Sequence, residues 1–204
     1  NSRFSPYYSI GGGWLMNNES FIQNNLPFIN ELRLRYSFGV VGNSSLAPQD
    51  YMEVFNRNSQ DLYLGGLCWT LNGFANPNLK QQNTIQHNVG VDLGLFNDRI
   101  SIQFNYYNFL TNNTLTDMNL PISHGFNAVR GNIGKIRNEG FEWYLNFVLL
   151  NSEAKGIRWN LNANITRLRN TIVELSEGFK EAIKGQFREM GTATDAIKYQ
   201  EGKS

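Results

Sequence analysis

The stretch Thr84-Ile-Gln-His-Asn-Val-Gly-Val-Asp-Leu-Gly-Leu-Phe-Asn-Asp-Arg-Ile-Ser-Ile-Gln-Phe-Asn-Tyr-Tyr107 decides the fold. Its first half places Ile85, Val89, Val91, Leu93 and Leu95 on one parity and Gln86, Asn88, Gly90, Asp92 and Gly94 on the other. Its second half moves the apolar parity to Ile100, Ile102, Phe104 and Tyr106, against Ser101, Gln103, Asn105 and Tyr107. A two-residue turn at Asn97-Asp98 sets Leu95 opposite Ile100, Leu93 opposite Ile102, Val91 opposite Phe104 and Val89 opposite Tyr106. A slip of one residue would set each oily side chain against a polar one, so the pattern specifies one register. Asn and Asp tolerate the positive φ that tight hairpin turns demand, and the turn chemistry agrees with the pairing.

Working outward, the same alternation recurs. Tyr8, Ile10, Trp14 and Met16 alternate with Ser9, Gly11 and Gly13 in a strand over Tyr7–Met16. Leu32, Leu34, Tyr36, Phe38 and Val40 alternate with Arg33, Arg35, Ser37 and Gly39 in a strand over Glu31–Gly42. Between them, Ser20 is positioned to cap a short helix that Pro27 ends. Phe141–Leu149 and Arg158–Thr166 give two further strands, joined by a short charged turn at Asn151–Gly156, and the central hairpin extends toward Thr111. Long stretches without a sustained period follow at Gly42–Asn83, at Asn112–Asn132 and after Leu175, where a helical turn is expected near Glu181; long loops of this kind usually carry function.

Short and long connections therefore alternate. An up-and-down antiparallel sheet with its long loops gathered at one end explains that asymmetry, which is the layout of outer-membrane barrels. The strands, about nine to twelve residues long, match the length a tilted strand needs to cross a bilayer better than the shorter strands of soluble sheets. Aromatic residues near strand ends, among them Tyr7, Tyr8, Trp14, Tyr106, Trp143 and Trp159, suit interfacial girdles. The fold class expected is all-β, a transmembrane barrel segment of about six strands. Because bacterial barrels close with eight strands or more, these strands belong to a larger barrel. The competing architecture is a soluble β-sandwich serving as a carbohydrate-binding or adhesive module, which also has one oily face per strand.

Composition narrows the rest. The 204 residues carry 18 Lys+Arg against 17 Asp+Glu, for a formal net charge of +1, so no bulk charge points to nucleic acid. Charged residues make up 17%, which leaves the polar faces to Asn, Gln, Ser and Gly. One cysteine, Cys68, excludes an internal disulfide and a cysteine-cluster metal site. The absence of any long apolar run excludes a membrane-spanning helix but not a membrane-spanning barrel. The chain opens on Asn1-Ser2-Arg3-Phe4 without a leader pattern and closes on polar Gly202-Lys203-Ser204, as an excerpt would.

Ordered stretches of wording carry a family resemblance. Asn76-Pro-Asn-Leu-Lys80, Asn88-Val-Gly-Val-Asp-Leu-Gly-Leu-Phe-Asn-Asp-Arg-Ile100, Asn105-Tyr-Tyr-Asn108, Leu120-Pro121, Gly125-Phe126 and Asn132-Ile-Gly-Lys-Ile-Arg-Asn-Glu-Gly-Phe-Glu142 resemble the SusC/RagA family of TonB-dependent outer-membrane transporters of Bacteroidetes. Phe4 to Trp14, Leu32 to Asn43 and Glu201-Gly-Lys-Ser204 fit the same family in the same order. The resemblance implies a segment from the later part of a barrel of about 22 strands. It also implies import of glycan oligomers or peptides, energised through TonB, under a SusD-like lipoprotein lid, in the outer membrane. Residues 1–204 would then be one part of the barrel domain, with the plug, the TonB box and the closing strands elsewhere.

The site candidates follow from side-chain chemistry. Tyr63, Trp69, Asn72 and Phe74 in the first long loop are ligand-contact candidates, because rings stack on sugar faces and amides pair with hydroxyls. Arg33, Arg35, Asp92, Glu142, Asn160, Asn162 and Asn164 sit on polar parities and are expected to face the lumen. Gly11-Gly12-Gly13 lacks the Lys-Ser/Thr of a phosphate loop and lets a strand bend instead. His87 and His124, the two histidines, have no acid or thiol at ligand spacing, and His87 falls on the oily parity near the loop end of its strand. No metal, cofactor or nucleophile–base pair is indicated, so the reading is not an enzyme.

Overall fold

The computed structural model describes residues 6–43, 46–63, 66–71, 73, 75–119, 125, 128–152 and 156–180. Its centre is the hairpin of β5 (Gln82–Leu95) and β6 (Ile100–Asn119), in the register the sequence specifies: Leu95 faces Ile100, Leu93 faces Ile102, Val91 faces Phe104 and Val89 faces Tyr106. The turn differs from expectation. Phe96 and Arg99 leave the ladder, so residues 96–99 form the loop, with Phe96, Asn97 and Asp98 all at positive φ of 55 to 59°. The Phe96 amide donates instead to the Phe28 carbonyl at 2.9 Å and its ring stacks on Phe28, which draws this turn against the neighbouring one.

Around the hairpin lie β1 (Tyr8–Leu15), β2 (Ile29–Asn43), β7 (Ala128–Ser152) and β8 (Ile157–Leu175). The six-stranded sheet has the order β1-β2-β5-β6-β7-β8, antiparallel throughout. Among the described residues, β3 (Phe55–Tyr63) and β4 (Gly66–Leu71) stand apart, as a hairpin of their own. Between β1 and β2, a 3-10 turn (Met16–Asn18) leads into helix α1 (Ser20–Asn25). Glu19 rather than Ser20 holds the cap position of α1, and it makes no side-chain cap bond.

Several boundaries move outward. The stretch expected as an unstructured loop over 42–83 contains helix α2 (Pro48–Tyr51) and the β3–β4 hairpin. The loop expected over 112–132 is mostly strand, because β6 continues to Asn119 and β7 begins at Ala128. The register shifts between Thr111 and Thr114, where Asn113 has φ 52°; such a bulge resets which parity faces which side and erases the alternation that sequence reading relies on. A further shift opposite Lys135/Ile136, where Val173 is the extra residue, does the same in β8, which runs on to Leu175. The helical turn expected near Glu181 lies outside the described residues beyond 180.

The oily face of the sheet is left uncovered, and on β5 burial is the reverse of a soluble sheet. On β5 the polar-parity residues Gly90, Asp92 and Gly94 are buried, while Val89 on the oily parity is exposed. Across the sheet Ile10 (69% exposed), Trp14, Leu34, Tyr36, Trp159, Leu161 and Ile165 leave their apolar surface uncovered. Apart from Ile22 in α1, the buried hydrophobic side chains among the described residues gather at the loop end, where Ile133, Leu175 and Phe179 pack with Met118, Ile136 and Ile172. No helix among the described residues is long and apolar enough to cross a membrane.

Candidate functional site: the polar face and the loop end

The polar parities of neighbouring strands fall in line because the register is continuous. Arg35 faces Gly90, Gly90 faces Asn105, Asn105 faces Glu142 and Glu142 faces Thr166. One row along, Arg33 faces Asp92, Gln103 follows, then Tyr144 and Asn164. Asn162 faces Asn146 and Asn160 faces Val148. Arg33, Arg35, Asp92, Glu142, Asn160, Asn162 and Asn164 thus share one face of the sheet.

Within that face, Arg35 makes the strongest contacts. Its Nε donates to Asp92 Oδ2 and its Nη2 to Asp92 Oδ1, both at 2.8 Å, and Nη2 also donates to Asn105 Oδ1 at 3.0 Å. The fork crosses three strands and places the planar guanidinium bidentately on a carboxylate that is 8% exposed. Gly90 makes room for it, since a Cβ there would lie 2.8 Å from Arg35 Nη2. Arg33 pairs instead within its own strand, 3.0 Å from Glu31. Glu142 forms no ion pair among the described residues and borders, with Arg33, Arg35, Asn88, Asn105 and Asn138, an open groove of about 1150 Å³. Tyr107 leans across Gly140, whose missing side chain leaves the space.

At the loop end, the motif Asn76-Pro-Asn-Leu-Lys80 acquires a physical role. The Asn132 side-chain amide donates to the Lys80 carbonyl (2.9 Å) and to the Asn113 carbonyl (2.8 Å), while its Oδ1 accepts from the Lys80 amide (2.9 Å). Asn76 donates to the Arg130 carbonyl at 3.2 Å and its Oδ1 accepts from the Asn78 amide. Together they latch the end of the first long loop to the top of β6 and β7. Sequence reading missed this latch and the part Asn105 plays; the quoted motif was the signal for the first, and the polar parity of Asn105 was the signal for the second.

Of the loop candidates, Trp69 lies on β4 opposite Arg57 and is 67% exposed, and Tyr63 ends β3 opposite Gly66. Asn72 and Phe74 lie outside the described residues, as does His124. His87 accompanies the Tyr36 hydroxyl, 3.0 Å from its Nδ1, on the apolar face. Among the described residues no cluster of His, Cys, Asp or Glu could hold a metal.

An antiparallel meander with one polar face and one oily face, the oily one uncovered by any other element among the described residues, is the wall of a membrane barrel. The chain belongs to the family described as TonB dependent receptor-like, beta-barrel, whose model matches residues 2–192. It is 30% identical over 177 residues to TonB-dependent receptor P26 of Formosa agariphila, and 28% identical over 183 residues to TonB-dependent receptor SusC of Bacteroides thetaiotaomicron. Those matches take in 85% and 87% of this chain but only 17% and 18% of the relatives. The structure described as that of the RagAB peptide transporter superposes with a TM-score of 0.73 at 26% identity, over 84% of this chain and 18% of that one. The same importer in its open-open state gives 0.68 at 27% identity. The resemblance to SusC and RagA is thereby shown, and these relatives are receptors and transporters rather than enzymes.

Proposed function

We propose that these residues form part of the wall of an outer-membrane importer that takes up oligomeric nutrients, glycan oligosaccharides or peptides, energised through TonB and working with a SusD-like surface lipoprotein. The observation that carries this reading is the uncovered oily face. A sheet that hides Asp92 and Gly90 while exposing Ile10, Trp159 and Ile165 would not stay dispersed in water, and hydrocarbon is the solvent that suits such a face. On this reading Arg33, Arg35, Asp92, Glu142 and the Asn160, Asn162 and Asn164 row line the lumen, and the loop end holding Trp69 meets substrate outside the cell. A neutral, amide-rich wall favours uncharged polar oligomers, whose hydroxyls and peptide groups it can pair with.

Fractionating cells that express the full-length parent tests this directly. Recovery in the outer membrane, with uptake of labelled oligosaccharide or peptide lost on gene deletion, is the expected result. Recovery from the soluble fraction without detergent would reject it.

A further inference from the structure

On the exposed apolar face the composition changes abruptly along β8. Leu161, Ala163 and Ile165 are followed on the same parity by Arg167 and Arg169. On the neighbouring strand Arg137 shares the face, with Arg169 directly opposite Glu139 and Arg137 opposite Thr171. Residues two apart on one strand, or diagonal across a pair, sit about 7–8 Å apart, so Arg169 lies within that distance of both Arg167 and Arg137, and the three form one run of guanidinium groups about 14 Å long.

Neither Arg167 nor Arg169 forms an ion pair among the described residues, and both are exposed. Arg137 is half-buried and its Nε finds no hydrogen-bond partner. The next cation up the strand contrasts with them, since Lys135 is already neutralised by Glu174. Counting Glu139, which sits opposite Arg169, the patch still holds net positive charge, and no ion pair among the described residues neutralises it.

Strand stagger gives its height. Arg167 lies ten residues from Ile157 at the short-turn end of β8; at ~3.3 Å per residue and a tilt of about 40°, that is ~25 Å above the inner edge, the full height of the apolar band. Directly opposite Arg167 is Phe141, an aromatic residue of the kind that forms the interfacial girdle of a barrel.

We infer that Arg137, Arg167 and Arg169 form a binding site for the phosphorylated headgroup of an outer-leaflet glycolipid. This rests on the outer-membrane reading above. Guanidinium groups fork onto phosphate oxygens, and their alkyl stems lie along the apolar wall below. Glu139, beside Arg169, weakens the site by repelling the same anion.

The full-length parent is extracted from outer membranes, exchanged into nanodiscs containing either phosphorylated lipid A or lipid A stripped of its phosphates, and the bound lipid is counted by native mass spectrometry. Wild type should retain the phosphorylated lipid and not the stripped one. The combined variant Arg137→Gln, Arg167→Gln, Arg169→Gln should lose at least about tenfold of that retention. Glu139→Gln, which removes no arginine and no apolar surface, should raise it. Equal retention by wild type and the arginine variant would overturn the inference, as would retention indifferent to phosphate. So would an arginine variant whose only defect is loss of the heat-resistant folded band on gels, with Glu139→Gln inert, because the arginines would then serve strand pairing. A parent found in the soluble fraction would instead reject the membrane reading itself.

Discussion

Arg35 shows how one side chain ties three strands. Its fork takes both oxygens of Asp92 and reaches Asn105, so β2, β5 and β6 are joined across the polar face by a single guanidinium. Removing it leaves a carboxylate at 8% exposure without its partner, and such a stranded charge is costly. The arginine itself is 44% exposed on its side chain, so water screens the pair; the cost of Arg35→Ala is about 1–2 kcal/mol rather than the larger penalty of a fully buried charge. Arg35→Lys should recover only part of that, because an ammonium cannot donate in a fork. Urea unfolding of the full-length parent in lipid vesicles measures both, and the fork's contribution is refuted if Arg35→Ala unfolds at the wild-type midpoint.

At the scale of elements, the strands were legible where alternation was uninterrupted and invisible where bulges intervened. Leu93 opposite Ile102 followed from parity alone, whereas the continuation of β6 past Asn113 did not, since a residue at φ 52° resets the faces. The Asn97-Asp98 turn was placed correctly but made too short, because the Phe28–Phe96 stack that widens it joins residues far apart in sequence. The polar face was visible as a list of residues, yet the Arg35–Asp92–Asn105 fork depends on register between strands and has no local signature. Asn132 shows the same limit at the loop end: the motif was readable, the latch was not. Its amide serves Lys80 on both backbone groups and Asn113 besides. Asn132→Ala should therefore free the loop end around Asn76–Lys80 at a cost of about 1–2 kcal/mol locally, since the two bonds to Lys80 are exposed and only the one to Asn113 is half-buried. Hydrogen exchange of the Lys80 amide in the folded parent checks this: faster exchange there, with β5 and β6 amides unchanged near Val91 and Phe104, is the expected pattern, and unchanged protection at Lys80 would show that the latch does not hold the loop.

For the whole molecule, the sheet's two faces ask for different solvents, and the strand stagger says where each begins. β7 runs from Phe147, opposite Ile100, on to Ser152, so the short turns step downward from β5–β6 to β7–β8. Such a shear is how tilted strands curve into a barrel. On this geometry Leu93, Ile102 and Leu145 lie in one row of the oily face, within the height of a hydrocarbon layer, and Gln103 lies beside them on the polar face. A charge should then report which solvent each row touches. Leu145→Arg, seven residues from the short-turn end of β7, places a guanidinium in hydrocarbon and should destabilise the membrane-folded parent by about 2–4 kcal/mol; Gln103→Arg, one strand over and one residue along, turns into the wet groove and should cost less than about 1 kcal/mol. Refolding yields of the two variants into lipid vesicles compare them directly. Equal penalties would mean that both faces meet the same medium, and the barrel-wall reading would fail with them.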